Sequence, residues 1–252
     1  MILAIDIGNS NIAMGLFKGK KLVCRLRIPT DIKRHLVSEK IREGLAECRI
    51  AHSDINYAVI SSVVPKATSK IKSILKNGFS IRSRIVGQDI KVPIENLYND
   101  PNQVGRDRLV NAYACSRLYG YPAIVVDFGT ATTFDYIDQN GAYCGGLITP
   151  GVLMTIESLY KRAFMLPKIE LKKPKSLVGK DTTESIRSGI LYGMGSMSDG
   201  ISSKIKAQYA NKRKIITVAT GGLAPLFMPF CKEIQLVDKD LTLKGLQLLS
   251  GL

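Results

Sequence analysis

The sequence predicts an α/β protein of two related domains, each with a mixed sheet and flanking helices. A short apolar strand, an Asp-x-Gly turn and an antiparallel meander occur twice, at residues 1–28 and again at 123–148. After each meander, apolar strands alternate with segments that have helical periodicity, as expected for mixed-sheet α/β domains. The two turn aspartates, Asp6 and Asp127, are 121 positions apart in a chain of 252 residues, which favours a duplication.

Each element of the first half follows from a local pattern. The predicted strands are short apolar runs bounded by polar or glycine turns, at 1–5, 12–17, 22–28, 57–61 and 81–86. The predicted helices carry apolar residues every three or four positions, at 33–48, 66–76 and 104–118. In the last of these, Leu109, Val110, Ala112 and Tyr113 are expected to face inward.

The second half is predicted in the same way. Its strands are expected at 123–126, 134–137, 142–148 and 215–219, and its helices at 152–160, 182–209, after residue 222 and at 241–249. A break in the long helix is expected around Gly193 and Gly195, because glycine weakens helices. The domain boundary is placed near residues 118–122, which predicts domains at 1–118 and 119–252.

Composition narrows the function classes. The chain has 36 Lys and Arg residues against 21 Asp and Glu, a net charge of +15. Such an excess of positive charge is found in proteins that bind nucleic acid, membranes or small anions. No block of five or six basic residues occurs, which excludes a basic tail or arm. No apolar run approaches the roughly 18 residues of a membrane helix, and the first residues lack the basic start of a signal peptide.

The five cysteines are odd in number and widely spaced, with no CxxC pair. This pattern predicts neither a zinc site nor a disulfide framework, but reduced thiols in a cytoplasmic protein.

The two Asp-x-Gly turns have the chemistry of phosphate-binding loops. Gly8 and Gly129 permit close approach to the backbone, and the small polar residues around them donate hydrogen bonds without bulk. The carboxylates of Asp6 and Asp127 suit a cation that accompanies phosphates. A hairpin uses the same residues, so the duplication is what favours a phosphate site. Neither a P-loop nor a GxGxxG fingerprint occurs.

Three further segments have both a functional and a purely structural interpretation. Residues 219–223 hold paired glycines that could contact a nucleoside or form a tight strand-to-helix turn. In residues 101–108, Asp107 could accept a proton while the neighbouring arginines hold it ionised, or could simply favour a helix start. Asp181 and Glu184 resemble a capping box, with Thr182 as an alternative ligand contact.

Taken together, these segments resemble type III pantothenate kinase. The motifs occur in the order found in that family: Asp6-Ile-Gly-Asn-Ser-Asn11, Pro101-Asn-Gln-Val-Gly-Arg-Asp-Arg108 with Asn111, Asp127-Phe-Gly-Thr-Ala-Thr-Thr133, Gly145-Gly-Leu-Ile-Thr-Pro-Gly151, Gly179-Lys-Asp-Thr182 and Thr220-Gly-Gly222. Ser10 stands where Thr is common, and Arg106 where Ala is frequent.

The resemblance implies an actin-like (ribonuclease H-like) fold, with a mixed five-stranded sheet in each domain and an ATP cleft between them. It implies ATP-dependent phosphorylation of pantothenate, the first step toward coenzyme A, with Mg²⁺ and a monovalent cation (K⁺ or NH₄⁺). The expected partners are pantothenate and ATP, the expected assembly is a homodimer, and the expected location is cytoplasmic.

The resemblance also implies roles for individual residues. Asp107 is the expected proton acceptor, and Asp127 the expected ligand of the monovalent cation. The expected ATP contacts are Asp6, Ile7, Gly8, Asn9, Ser10, Asn11, Ile12, Ala13, Gly129, Thr130, Thr132, Gly221 and Gly222. The expected pantothenate contacts are Tyr98, Gly105, Arg106, Asp107, Arg108 and Thr182.

Two alternatives stay open at this level. Another small-molecule kinase of the same superfamily would share the phosphate turns, although residues 105–108 argue against it. A basic accessory regulator that binds nucleic acid would use the net charge, but the scattered charges and the lack of a reading motif argue against it.

Overall fold

The computed structural model describes residues 1–209 and 214–252, and these form two compact units. The first unit consists of Met1–Ile94, Asn99–Ala114 and Leu241–Leu252. The second consists of Glu95–Tyr98 and Cys115–Asp240.

The first unit contains a mixed five-stranded sheet in the order β3-β2-β1-β4-β5. Its strands are β1 (Ile2–Ile7), β2 (Asn11–Lys18), β3 (Lys21–Pro29), β4 (Tyr57–Ser62) and β5 (Arg82–Ile85). Strands β1 to β3 form an antiparallel meander, while β4 runs parallel to both β1 and β5.

The second unit repeats this topology, with a five-stranded sheet in the order β10-β9-β6-β7-β8. Its strands are β6 (Ala123–Phe128), β7 (Ala131–Ile137), β8 (Tyr143–Pro150), β9 (Ile216–Thr220) and β10 (Leu236–Val237). Strands β6 to β8 form the meander, and β9 pairs in parallel with β6 and β10.

Seven α-helices occur in the described residues. They are α1 (Arg34–Glu47), α2 (Pro65–Phe79), α3 (Arg106–Tyr119), α4 (Val152–Arg162), α5 (Thr182–Gln208), α6 (Ala224–Phe227) and α7 (Leu241–Leu249). Each unit contains a cluster of buried apolar residues in which its sheet packs against helices. The fold class predicted from the sequence is confirmed, including the inward face of α3.

The compact units differ from the contiguous domains expected at 1–118 and 119–252. Helix α7 packs on β1, β2 and β4 of the first unit, although it follows the second unit in the chain. At Gly15 of β2, an added Cβ would lie 3.1 Å from the Leu243 side chain of α7. Helix α7 therefore covers part of the first sheet.

The predicted break in the long helix is wrong, because α5 is continuous over 27 residues. Gly195 has a packing role instead: a Cβ at this position would lie 2.4 Å from the carbonyl oxygen of Phe230. A glycine inside a helix can permit close approach of another backbone without interrupting the helix.

The prediction of reduced thiols is wrong for two of the five cysteines, because Cys24 and Cys48 form a disulfide. Cys24 lies in β3 and Cys48 directly follows α1, and these two elements pack together. Their sequence separation of 24 residues carries no disulfide signal. Burial raises the pKa of Cys115 and of Cys231 to about 12, so both stay protonated thiols at neutral pH.

No helix within residues 1–209 or 214–252 is both long and apolar enough to cross a membrane.

Candidate functional site

Asp6 and Asp127 occupy equivalent positions in the two sheets. Asp6 is the second-last residue of β1 and pairs with Ala13 on β2 and Ser61 on β4. Asp127 is the second-last residue of β6 and pairs with Thr133 on β7 and Thr220 on β9. The duplication expected from the sequence therefore extends to strand register.

The turn between β1 and β2, residues 8–10, is held by hydrogen bonds to its own strand and to the end of β3. The Gly8 N–H donates to the Asn11 carbonyl at 3.0 Å, and the Thr30 N–H donates to the Ser10 carbonyl at 3.1 Å. The Thr30 hydroxyl donates to the Gly8 carbonyl at 2.7 Å. Asn9 and Ser10 are exposed, so this turn presents small polar residues on a fixed backbone.

The turn between β6 and β7, residues 129–130, is held by close backbone packing. The Gly129 N–H donates to the Ala131 carbonyl at 3.2 Å, and the Gly151 N–H donates to the Thr130 carbonyl at 3.1 Å. A Cβ on Gly151 would lie 2.2 Å from the Thr130 carbonyl oxygen. A Cβ on Gly221, at φ +90°, would lie 2.5 Å from an Asp127 carboxylate oxygen. Glycine is therefore required at both positions.

Three of the predicted ATP contacts lie in the cores. Ile7, Ile12 and Thr132 are fully buried, so their side chains pack inside the units and only their backbones lie along the turns. The Thr132 hydroxyl has no hydrogen-bond partner within the described part of the chain. Gly222 is exposed, and α6, which begins two residues later, is a single turn of four residues.

Asp107 lies in the first turn of α3, and its carboxylate folds back toward Gly105. Its Oδ1 accepts a hydrogen bond from the Arg108 N–H at 2.8 Å. A Cβ on Gly105 would lie 2.5 Å from the same oxygen, which explains the glycine at this position.

The expectation that the neighbouring arginines hold Asp107 ionised is met only in part, because Arg108 favours the charged form but burial has the larger effect. Burial raises the pKa of the Asp107 carboxyl, and the opposing effects of the Arg108 N–H and charge are smaller. A raised pKa makes the carboxylate a stronger base than an exposed aspartate, which suits proton transfer.

The two arginines of this segment lie in different surroundings. Arg108 is buried, with a relative exposure of 8%. The Arg106 side chain lies over the turn after β5, where a Cβ on Gly87 would be 2.5 Å from Nε. The guanidinium end of the Arg106 side chain therefore lies close to Gly87.

Tyr98 belongs to a short segment of the second unit that is attached to β8. Its N–H donates to the Asn96 side chain at 3.1 Å, and its half-buried ring lies beside the ring of Tyr143. A Cβ on Gly145 would come within 3.3 Å of the Tyr98 ring.

Thr182 is exposed at the start of α5. Asp181 caps this helix by accepting the Glu184 N–H at 2.8 Å, as predicted. Glu184 does not complete a capping box: one carboxylate oxygen accepts the Lys175 N–H at 2.9 Å, and the other pairs with Arg187 at 2.7 Å. These contacts lower the pKa of Glu184 and attach the preceding loop to the helix.

A groove of about 810 Å³ in the second unit contains Thr182. Its walls combine apolar residues of α4, α5 and the loop between them with the residues 179–182. Outside the groove, Phe164 and Met165 of the same loop are almost fully exposed.

Within residues 1–209 and 214–252, no group of three or more His, Cys, Asp and Glu side chains is arranged to hold a metal ion. Any cation bound at Asp6 or Asp127 therefore needs oxygen ligands other than such a cluster, such as backbone carbonyls, phosphates or water.

Several residues that support these sites give little signal in the sequence. Thr30, Asp135 and Tyr143 lie in strands or at strand ends and look like ordinary sheet residues. Only Gly145 and Gly151 are indicated, because glycines near strand ends often mark close backbone approach.

The chain is similar to known proteins along most of its length. A family model described as type III pantothenate kinase matches residues 2–204. A type III pantothenate kinase of Halalkalibacterium halodurans is 43% identical over 251 residues, covering 99% of this chain and 98% of the relative. One from Listeria monocytogenes serotype 4a is 41% identical over 253 residues, covering 99% and 96%.

The fold is also shared with a solved structure of low sequence identity. A putative 2-dehydro-3-deoxygalactonokinase from Sinorhizobium meliloti superimposes with a TM-score of 0.59 at 13% identity, covering 99% of this chain and 96% of that one. The family match over most of the chain and the near full-length relatives show that the chain belongs to the type III pantothenate kinase family.

Proposed function

We propose that the protein transfers the γ-phosphate of ATP to the primary hydroxyl of pantothenate, which is the first step toward coenzyme A. Family membership over residues 2–204 is the observation that carries this function. In such transfers the protein contributes mainly positioning and stabilisation of charge.

In this reaction Asp107 accepts the proton of the pantothenate hydroxyl. Its place in the first turn of α3 and its raised pKa support the role. Gly105 leaves space for the Asp107 carboxylate. The guanidinium groups of Arg108 and Arg106 offer positive charge for the carboxylate of pantothenate. Tyr98 and Thr182 are proposed as further pantothenate contacts.

The two phosphate turns bind ATP. Residues 6–13 of the first unit, with Gly129, Thr130, Thr132, Gly221 and Gly222 of the second, are the proposed contacts. At Gly151 and Gly221 the backbone packs too closely against the second turn and Asp127 to admit a side chain, and this packing fixes the main-chain atoms of the proposed site. Mg²⁺ would neutralise phosphate charge, and Asp127 would hold K⁺ or NH₄⁺.

We propose a homodimer formed through exposed apolar residues of the second unit. The large apolar side chains exposed on β8, on α4 and in the loop after α4 are Leu147, Ile148, Leu153, Met154, Tyr160, Phe164 and Met165. Exposed apolar patches of this kind commonly mark interfaces. Sedimentation equilibrium of the wild type and of Ile148→Lys tests the assembly, with Val63→Lys as a control for the added charge. A monomeric wild type contradicts the proposed homodimer.

The proposed location is the cytoplasm, where ATP is available. The Cys24–Cys48 disulfide bears on this, because such bonds are rare in reducing compartments. Alkylation of intact cells followed by mass analysis would show whether the Cys24 and Cys48 thiols are free in the cytoplasm. Free thiols would mean that the disulfide forms only on oxidation.

The direct test of function is incubation with ATP, Mg²⁺, K⁺ and pantothenate, with detection of 4′-phosphopantothenate by mass. Asp107→Asn keeps the shape and removes the base, so turnover should fall by about 10²-fold or more. Asp31→Asn, an exposed site in the same unit, is the matched control. Normal turnover by Asp107→Asn would exclude the proposed role, and absence of product with wild type would exclude the function.

The raised pKa of Asp107 also predicts how activity and stability depend on pH. The acid limb of kcat/KM should lie above about pH 4, where an ordinary aspartate titrates. Because burial disfavours the charged form, ionised Asp107 destabilises the fold above its folded pKa. Urea unfolding should therefore find Asp107→Asn more stable than wild type at pH 7, with a smaller difference as the pH falls toward 4.

A further inference from the structure

Tyr143 attaches the segment that carries Tyr98 to the edge of the second sheet. The Tyr143 N–H donates to the Glu95 carbonyl at 2.8 Å, and the Leu97 N–H donates to the Tyr143 carbonyl at 2.9 Å. A bridge of this kind sets the backbone position of Tyr98, which follows directly.

The Tyr98 side chain is located by two further contacts. Its ring centroid lies 6.4 Å from that of Tyr143 with the planes tilted by 39°. The ring also covers Gly145, where φ is +114° and a Cβ would come within 3.3 Å. Tyr98 therefore rests on a surface formed by a tyrosine ring and a bare backbone.

The orientation of Tyr143 is in turn set by a buried carboxyl group. The Tyr143 hydroxyl donates to Asp135 Oδ1 at 2.8 Å, and the Thr133 hydroxyl donates to Oδ2 at 3.1 Å. Tyr143 and Asp135 are both completely buried. A buried carboxyl needs these hydrogen bonds, so the network specifies one position for the Tyr143 ring.

We propose that Tyr143, held by Asp135, is a positioning residue that sets the pantothenate affinity through Tyr98. This inference rests on the proposed role of Tyr98 as a pantothenate contact. Neither Tyr143 nor Asp135 needs to touch the substrate, because the two residues act by limiting the positions that the Tyr98 ring can adopt. Positioning of this kind strengthens binding by reducing the entropy that is lost when the ligand binds.

The first experiment compares variants of the network with full-length enzyme, measuring KM for pantothenate, KM for ATP, kcat and Tm. Tyr143→Phe removes the hydroxyl, and Asp135→Ala removes its acceptor. Both should raise KM for pantothenate about tenfold, equal to ~1.4 kcal/mol, with KM for ATP unchanged. Asp135→Asn keeps an acceptor oxygen and should retain a pantothenate KM close to wild type.

A second pair of variants separates positioning from general destabilisation. Gly145→Ala places a methyl group under the Tyr98 ring and should raise KM for pantothenate. Gly141→Ala is the matched control, because Gly141 also has positive φ (+85°) and faces a tyrosine, Tyr121, at 3.2 Å. Both variants should lower Tm, but Gly141→Ala should leave both KM values unchanged.

The double variant Tyr98→Ala/Tyr143→Phe decides whether the effect passes through Tyr98. Its pantothenate KM should be no higher than that of Tyr98→Ala alone. If Tyr98→Ala raises KM while Tyr143→Phe and Gly145→Ala do not, the positioning role is overturned. If Tyr98→Ala has no effect, the role of Tyr98 fails and so does this inference, while product formation by wild type still judges the proposed function.

Discussion

The β1–β2 and β6–β7 turns have the same topology but are stabilised by different means. In the first unit, Thr30 donates from its backbone to Ser10 and from its hydroxyl to Gly8. In the second, the equivalent backbone donor is Gly151, which has no side chain and packs directly on the turn. The β1–β2 turn is supported by a side-chain hydrogen bond, and the β6–β7 turn by direct backbone packing at a glycine.

This difference predicts unequal tolerance to substitution. A Cβ on Gly8 would lie 3.3 Å from the Asn11 carbonyl oxygen, and a Cβ on the equivalent Gly129 would lie 3.3 Å from the Ala131 carbonyl oxygen, so the difference lies at the supporting residue after the third strand. A Cβ on Gly151 would lie 2.2 Å from a backbone oxygen, where no rotamer change can help. The two copies share the register of their strands but rely on different kinds of packing.

The largest expected effect separates the two turns by stability. Gly151→Ala should cost about 3 kcal/mol or more in the free energy of unfolding, because the clash involves backbone on both sides. Gly8→Ala should cost less than about 1 kcal/mol. Urea unfolding measures both, and Gly200→Ala, at an open helical site, should be neutral or stabilising. Equal costs for Gly8→Ala and Gly151→Ala would contradict the comparison.

The next prediction distinguishes Asp127 from Asp6 by the effect of K⁺ on turnover. If Asp127 holds the monovalent cation, Asp127→Asn should lose most of the activation by K⁺, with turnover reduced about 10- to 100-fold. Asp6→Asn should lower activity but keep the ratio between rates in K⁺ and in Na⁺. Initial rates in each salt at constant ionic strength provide the measurement. A K⁺ response retained by Asp127→Asn would remove that assignment.

The smallest effect concerns the hydroxyl that supports the first turn. Thr30→Val removes the hydrogen bond to Gly8 and should raise KM for ATP about three- to tenfold, corresponding to a bond of about 1 kcal/mol. Thr30→Ser keeps the hydroxyl and should restore most of the affinity. If Thr30→Ser behaves like Thr30→Val, the methyl group rather than the hydrogen bond supports the turn.

The sequence predicted the elements well where a local pattern determines them. The strands of both meanders were found from apolar runs bounded by Gly and polar turns, and the core face of α3 from its periodicity. It failed at Gly195, where glycine permits contact with Phe230, and at Cys24 and Cys48, which only folding brings together. These misses share one cause, since each depends on a partner far away in the chain.

By itself, the sequence determined the fold class, the duplicated Asp-x-Gly turns and the family, because these depend on local periodicity and on spaced motifs. Only the tertiary structure decided how the turns are held, why burial outweighs the arginines at Asp107, and that Asp135 and Tyr143 stand behind Tyr98. Desolvation and close packing depend on every neighbouring atom, and most of these neighbours come from distant parts of the chain.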